Sequence, residues 1–102
     1  MKVWLDDVRS APRGWRRART PQEVIALLKT GKVTEISLDH DLGIVERGRE
    51  ATGYDVLVWL EREFAANPQA LPLPDIHVHS ANAAVYTRME QAIASIKRLA
   101  ST

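Results

Sequence analysis

The chain has 102 residues, is 45% hydrophobic and 26% charged, and carries a formal net charge of +1. That length suggests one domain over residues 1–102 with a real but modest core, and the near balance of charge excludes a global field for nucleic acid or membrane. Cysteine is absent, which excludes a disulfide framework, a thiolate metal site and a cysteine nucleophile.

The opening MKVWLDDVRS carries acids where a signal peptide needs an apolar stretch. No segment approaches transmembrane length. A soluble cytoplasmic protein without a membrane partner is therefore expected. KVWL, Lys2 to Leu5, is a short apolar run closed by Asp6 and Asp7, and predicts a buried first strand. Ser10 to Gly14 holds Pro12 and Gly14 and predicts a loop. Trp15 to Arg19 predicts a second strand, whose basic WRRAR composition suits a short sheet edge.

TPQEVIALLKTG is punctuated as a helix. Thr20 suits the N-cap, Pro21 the first helical position, and Glu23 completes a capping box. Val24, Ile25, Leu27 and Leu28 form the apolar stripe, and Gly31 suits the C-terminal end. Thr34 to Leu38 predicts a strand. Asp39 to Gly53 is long, charged and glycine-punctuated, and predicts a functional loop. Thr52 then caps a second helix with Asp55 three residues on, and Val56, Leu57, Leu60 and Phe64 give its spacing. Pro68, Pro72 and Pro74 end it. Asp75 to His79 predicts the last strand, and Asn82 caps a last helix with a stripe of Val85, Met89, Ala92, Ile93, Ile96 and Leu99. The order β-β-α-β-α-β-α predicts an α/β fold, a small three-layer sandwich with a mostly parallel sheet.

In open α/β sheets ligands bind outside the carboxyl ends of the strands. Three polar clusters fall there: Asp6-Asp7, Asp39-His40-Asp41 and His79-Ser80-Ala81-Asn82. Crowded carboxylates repel unless a cation screens them, and oxygen ligands without cysteine favour a hard ion, Mg²⁺ first and Mn²⁺ next. The candidate metal ligands are Asp6, Asp7, Asp39 and Asp41. His79 or His40 supplies acid-base chemistry near neutral pH. Ser80, Asn82 and Arg9 are the candidate substrate contacts, with a phosphate held at the start of the last helix. Each residue also has a structural use. Asp6 suits a turn cap, Asp7 a pair with Arg9, Asp41 the turn at Gly43, and Ser80 and Asn82 a helix cap. His77, inside its strand, reads as a packed or partly exposed side chain.

WLDD near the start, ISLDHDLG in the middle, TGYD at a helix start and IHVHSAN before the last helix together resemble the cyclic-phosphate processing receiver-like domain family, over nearly the whole chain. The resemblance implies a flavodoxin-like fold modified from the receiver domain of two-component signalling, acting on cyclic phosphates in nucleotides or RNA ends. It implies that Asp6 and Asp7 match the acid pair that holds Mg²⁺, Asp39 the aspartate that receives a phosphoryl group, and Ser80 the small hydroxyl residue of the next strand end. The chain departs from a receiver in three ways. A Pro/Gly loop stands where the first helix belongs, the fifth strand and its lysine are missing, and His40, His77 and His79 are gained. The resulting expectation is a metal-assisted phosphoesterase in which Asp39 is either metal ligand or nucleophile. The alternatives are a non-enzymatic receiver-like phosphoacceptor or interaction module, and a sensor that binds a cyclic nucleotide without cleaving it.

Overall fold

The computed structural model describes residues 1–46, 48–80 and 82–101. Its elements, in chain order, are β1 (Lys2–Leu5), β2 (Trp15–Ala18), α1 (Pro21–Leu28), β3 (Glu35–Leu38), β4 (Asp41–Glu46), β5 (Arg49–Thr52), α2 (Tyr54–Ala66), β6 (Asp75–Val78) and α3 (Ala83–Ala100). Ala81, within the polar cluster after the last strand, lies outside the described residues.

Four strands pair in the order β2-β1-β3-β6, and every pairing is parallel. Strand alternation sends Val3, Leu5, Ile36, Leu38 and Ile76 to one face. There they join Val24 and Leu28 of α1, Leu57, Leu60 and Phe64 of α2, and Met89, Ile93 and Ile96 of α3 in one buried core. The opposite face carries Lys2, Trp4, Trp15, Arg17, Glu35, Ser37 and His77. Parallel crossovers are right-handed, so the connection from β1 out to β2 passes over this second face, while the later connections run over the first. That connection holds no helix. On that face the connection is thus the short loop of residues 6–14.

Thr20 caps α1, its hydroxyl accepting from the Glu23 N–H at 3.2 Å. Glu23 reaches back to the Arg19 N–H at 3.5 Å, one residue before the cap. Asn82 caps α3, accepting from the Ala84 N–H at 3.1 Å. Among the described residues, no helix is long and apolar enough to cross a membrane.

Two expectations need correction. The segment read as a loop from Asp39 to Gly53 contains an antiparallel hairpin, β4 on β5, with an irregular register between Asp41 and Ile44. Its charges and glycines hide the strand pattern, yet Gly48 at φ 77° supplies the left-handed turn residue a tight hairpin needs. Thr52 does not cap α2. It is the last residue of β5, and its N–H donates to Asp55 Oδ2 at 3.1 Å. Gly53 stands at the cap with no side-chain bond.

Gly53 is required by a close approach. A Cβ there would lie 2.0 Å from the Asp39 carbonyl oxygen, which is backbone and has little freedom to yield. The glycine lets α2 start directly against the end of β3. Gly53→Ala should therefore destabilise the fold by about 1–3 kcal/mol and lower Tm by several degrees. An unchanged urea midpoint would show that the approach is not needed.

Candidate active site

The sheet ladder itself builds the site. Leu5 is level with Ala18 and Leu38, and Leu38 with Val78. Each of the next residues then makes one further ladder bond: Asp6 N–H to Ala18 O at 3.1 Å, Asp39 N–H to Leu5 O at 3.0 Å, and His79 N–H to Leu38 O at 3.0 Å. Asp6, Asp39 and His79 therefore sit at one height, one step past the last paired residues. Alternation sends all three to the face of Trp4 and Ser37. One ligand atom from each lies within 4.8 Å of the others.

Asp6 is the anchor. It is only 1% exposed. Its Oδ1 accepts from the N–H groups of Val8 at 2.9 Å and Arg9 at 2.8 Å, and its Oδ2 lies 3.2 Å from His79 Nε2. Burial by itself would raise its pKa. The backbone donors of Arg9 and Val8 and the contact with His79 outweigh burial and hold Asp6 below its ordinary value.

His79 lies flat on Trp4, with ring centroids 3.8 Å apart and planes 5° from parallel. Its Nδ1 is 2.7 Å from Ser37 Oγ. Burial lowers its pKa from the ordinary imidazole value, although the neighbouring carboxylates of Asp6 and Asp39 raise it. Trp15 packs edge-on against Trp4 at 5.9 Å. Asp39 moves the other way. Burial and the charge of Asp6 raise its pKa, and the N–H groups of His40 and Asp41 offset this only in part.

The other sequence candidates sit around this group. Asp7 is half-buried beside Gly43 of the hairpin and does not join the cluster of three. The turn after β1 explains this, since Asp7 lies in the bend that closes onto Asp6 Oδ1 and not on the strand ladder. Asp41 also stays apart. Its side chain is 59% exposed and accepts from His40 Nδ1 at 2.7 Å. Arg9 reaches over the rim, its Nη1 donating to the His79 carbonyl at 3.4 Å. Ser80 Oγ accepts from the Asn82 N–H at 3.2 Å, and Asn82 is engaged as the cap of α3. His77 is exposed and paired with Glu35 at 2.8 Å, away from the rim. Sequence reasoning missed Ser37 and Trp4 as parts of the site. The available signal was period two: Ser37 is the polar residue inside an apolar strand, two positions before Asp39.

The two carboxylates fit a hard divalent cation: Asp6 and Asp39 repel one another and each brings an oxygen to the cluster, with the His79 ring beside them. A groove of about 460 Å³ lies at the opposite end of the sheet, lined by Phe64, Leu71, Leu73 and Lys97 among others. The titratable cluster and this apolar groove are separate features.

A family model described as the cyclic-phosphate processing receiver domain matches residues 1–95. The chain belongs to that family. No curated protein and no solved structure gave a significant match. The four-stranded parallel sheet in the order β2-β1-β3-β6 agrees with a receiver-like, flavodoxin-like fold. Family membership associates the chain with cyclic-phosphate processing.

The opposed carboxylates yield a stability prediction. A carboxylate whose folded pKa is raised contributes stability below its unfolded value, near 3.8, and loses it as pH rises through the raised value. Ionised Asp39 thus opposes folding at pH 7. In metal-free protein, Asp39→Asn should raise Tm by a few degrees at pH 7, a gain that shrinks as pH falls toward 3.8. A Tm lowered at both pH values would contradict the raised pKa.

Proposed function

We propose that the rim is a metal-assisted phosphoesterase site that opens a cyclic phosphate, on a nucleotide or at an RNA end. The observation that carries this reading is the convergence of Asp6, Asp39 and His79 within 4.8 Å, in a family associated with cyclic-phosphate processing. Asp6 and Asp39 would hold the cation, Mg²⁺ first and Mn²⁺ next, with Asp7 the nearest further carboxylate in sequence. The cation supplies charge screening and polarisation at phosphorus. Absence of cysteine suits a cytoplasmic setting.

The chain's own residues supply the rest. Water adds to phosphorus, one ring P–O bond breaks, and the freed oxygen takes up a proton. His79 Nε2 accepts the proton that water loses and returns it to the freed oxygen. A pKa lowered by burial suits His79 to start as the base. Arg9, anchored on the His79 carbonyl, keeps further N–H groups for phosphate oxygens. Asp6 orients His79, and the Trp4 face fixes the plane of the ring.

A phosphorelay role is the weaker reading. It asks for a cation beside Asp39 to hold a phosphoryl group, but the lysine of α3, Lys97, lines the groove at the other end of the sheet.

The test is a panel of 2′,3′- and 3′,5′-cyclic phosphates with and without Mg²⁺ or Mn²⁺, followed by phosphorus NMR. Ring opening should require the metal. His79→Gln should lower kcat by on the order of a hundredfold or more while Mg²⁺ affinity, read by calorimetry, stays close to wild type. A fully active His79→Gln would remove His79 from proton transfer. A stable phosphoaspartate on Asp39 without turnover would replace the hydrolase reading with a phosphoacceptor.

Calorimetry separates the carboxylates. Asp39→Asn should weaken Mg²⁺ binding by removing both a ligand and a charge, whereas Asp41→Asn should leave it nearly unchanged. Equal affinity of wild type and Asp39→Asn would take Asp39 off the ligand set.

A further inference from the structure

Asp6 and Ser37 are the buried polar side chains among the described residues, and both hold the same imidazole. Asp6 is ionised and offers acceptors only, so the Nε2 that faces its Oδ2 at 3.2 Å carries the hydrogen. A neutral imidazole has one N–H. In the neutral ring Nδ1 is therefore bare, and Ser37 Oγ, 2.7 Å away, donates to it. The line runs from the Ser37 hydroxyl to Nδ1, and from Nε2–H to Asp6. Its order matches the nucleophile, base and orienter of a serine hydrolase. Ser37 is only 4% exposed, however, and sits in the central sheet where no substrate oxygen reaches.

We propose that Ser37 is a positioning residue: by turning from donor to acceptor at Nδ1, its hydroxyl lets His79 present Nε2 to the rim either with a proton or with a bare lone pair. This rests on the reading of His79 as the proton carrier. A base must begin with Nε2 bare, so the ring proton must sit on Nδ1 and find an acceptor there. Among the described residues, Ser37 Oγ is the side-chain atom within hydrogen-bond distance of Nδ1. A hydroxyl serves both states, donating in one and accepting in the other. Once Asp6 Oδ2 is turned to a cation, Nε2–H loses its acceptor, and the form with Nδ1–H donated to Ser37 becomes the better-bonded one. The small serine side chain also leaves room for the ring to lie back from the end of β6 across β3 onto Trp4 of β1.

The test reads the His79 tautomer by nitrogen-15 NMR and needs no turnover. Metal-free wild type should show Nε2–H. In Asp6→Asn the side-chain carbonyl stays on the Val8 and Arg9 N–H groups, which puts the amide NH₂ against Nε2. That NH₂ donates, so His79 should reverse to Nδ1–H. In Asp6→Asn the Nδ1–H should be bonded to Ser37 Oγ, and adding Ser37→Ala should remove that bond, moving the Nδ1 proton resonance upfield and speeding its exchange with water. A folded Asp6→Asn that keeps Nε2–H, or a double variant whose Nδ1 proton has the same shift and exchange rate as in Asp6→Asn, overturns the proposal without any cation present.

Mg²⁺ gives the second arm. Saturating Mg²⁺ should reverse the tautomer in wild type and leave Nε2–H in Ser37→Ala, whose kcat should fall about 10–100-fold at unchanged KM. Mg²⁺ bound without reversal overturns the role of Ser37 and leaves the metal site standing. No Mg²⁺ binding at all overturns the metal reading, and the Asp6→Asn spectra then decide Ser37 alone. If Asp6→Asn does not fold, Ser37→Ala with Mg²⁺ decides: reversal there like wild type would end the proposal.

Discussion

The buried carboxylate of Asp6 is the constraint on which the rim depends. An ionised side chain that is 1% exposed is tolerated only if its oxygens are bonded, and here they are. Two backbone N–H groups close the turn after β1 onto Oδ1. Oδ2 is left for His79. The turn, the ring orientation and the negative charge felt by Asp39 all follow from this one placement. Removing one partner of a buried charge typically costs about 3–5 kcal/mol, so the fold and the candidate chemistry are tied together at Asp6.

The connection between β1 and β2 has a related consequence. A helix there would bury the second sheet face in apolar contacts. A short loop cannot, and the face is instead filled by a row from the edge strand inward, Trp15 edge-on to Trp4 and His79 stacked on Trp4. Lys2 lies 5.7 Å from the Trp15 ring centroid and continues the row at the edge. The row leaves the Trp4 Nε1–H buried without a hydrogen-bond partner among the described residues, a cost of about 1–3 kcal/mol. The flat tryptophan face under His79 is what that cost accompanies. The ring gains a fixed plane and loses water on one side, which holds its pKa down.

Much of this was legible in the sequence because strand ends are easy to see. WLDD, ISLD and HVHS each switch from apolar to polar within one residue, and the parallel ladder brings such switches to one height. The hairpin from Asp41 to Thr52 was not legible, because its apolar residues are outnumbered by charges and glycines. Nor was the split within the acid clusters. Asp6 and Asp7 look equivalent as letters, as do Asp39 and Asp41. Facing at the end of β1 puts Asp6 on the Trp4 side, whereas Asp41 is set apart from Asp39 because the chain has already turned into the hairpin, where Asp41 pairs with Thr52. A period-two count along β3 would have found Ser37. Gly53 was read as loop punctuation, whereas the reason for it is the Asp39 carbonyl, a long-range contact absent from local pattern.

The two clustered carboxylates divide the work that a single environment could not support. Both lie at strand ends on one face, yet Asp6 is held below its ordinary pKa and Asp39 above it. The difference lies in what each is bonded to. Asp6 has spent its oxygens on backbone and imidazole, so its charge is fixed and its geometry rigid. Asp39 feels that fixed charge and burial together, so its own charge is the unstable one. A site built this way has one anion that serves as structure and one whose energy falls when a cation or a proton arrives. Charge at the rim is thus least stable at Asp39, while the bonded carboxylate of Asp6 holds the His79 ring. The fold needs both carboxylates at the same height for this, and the parallel register of β1 and β3 is what guarantees it.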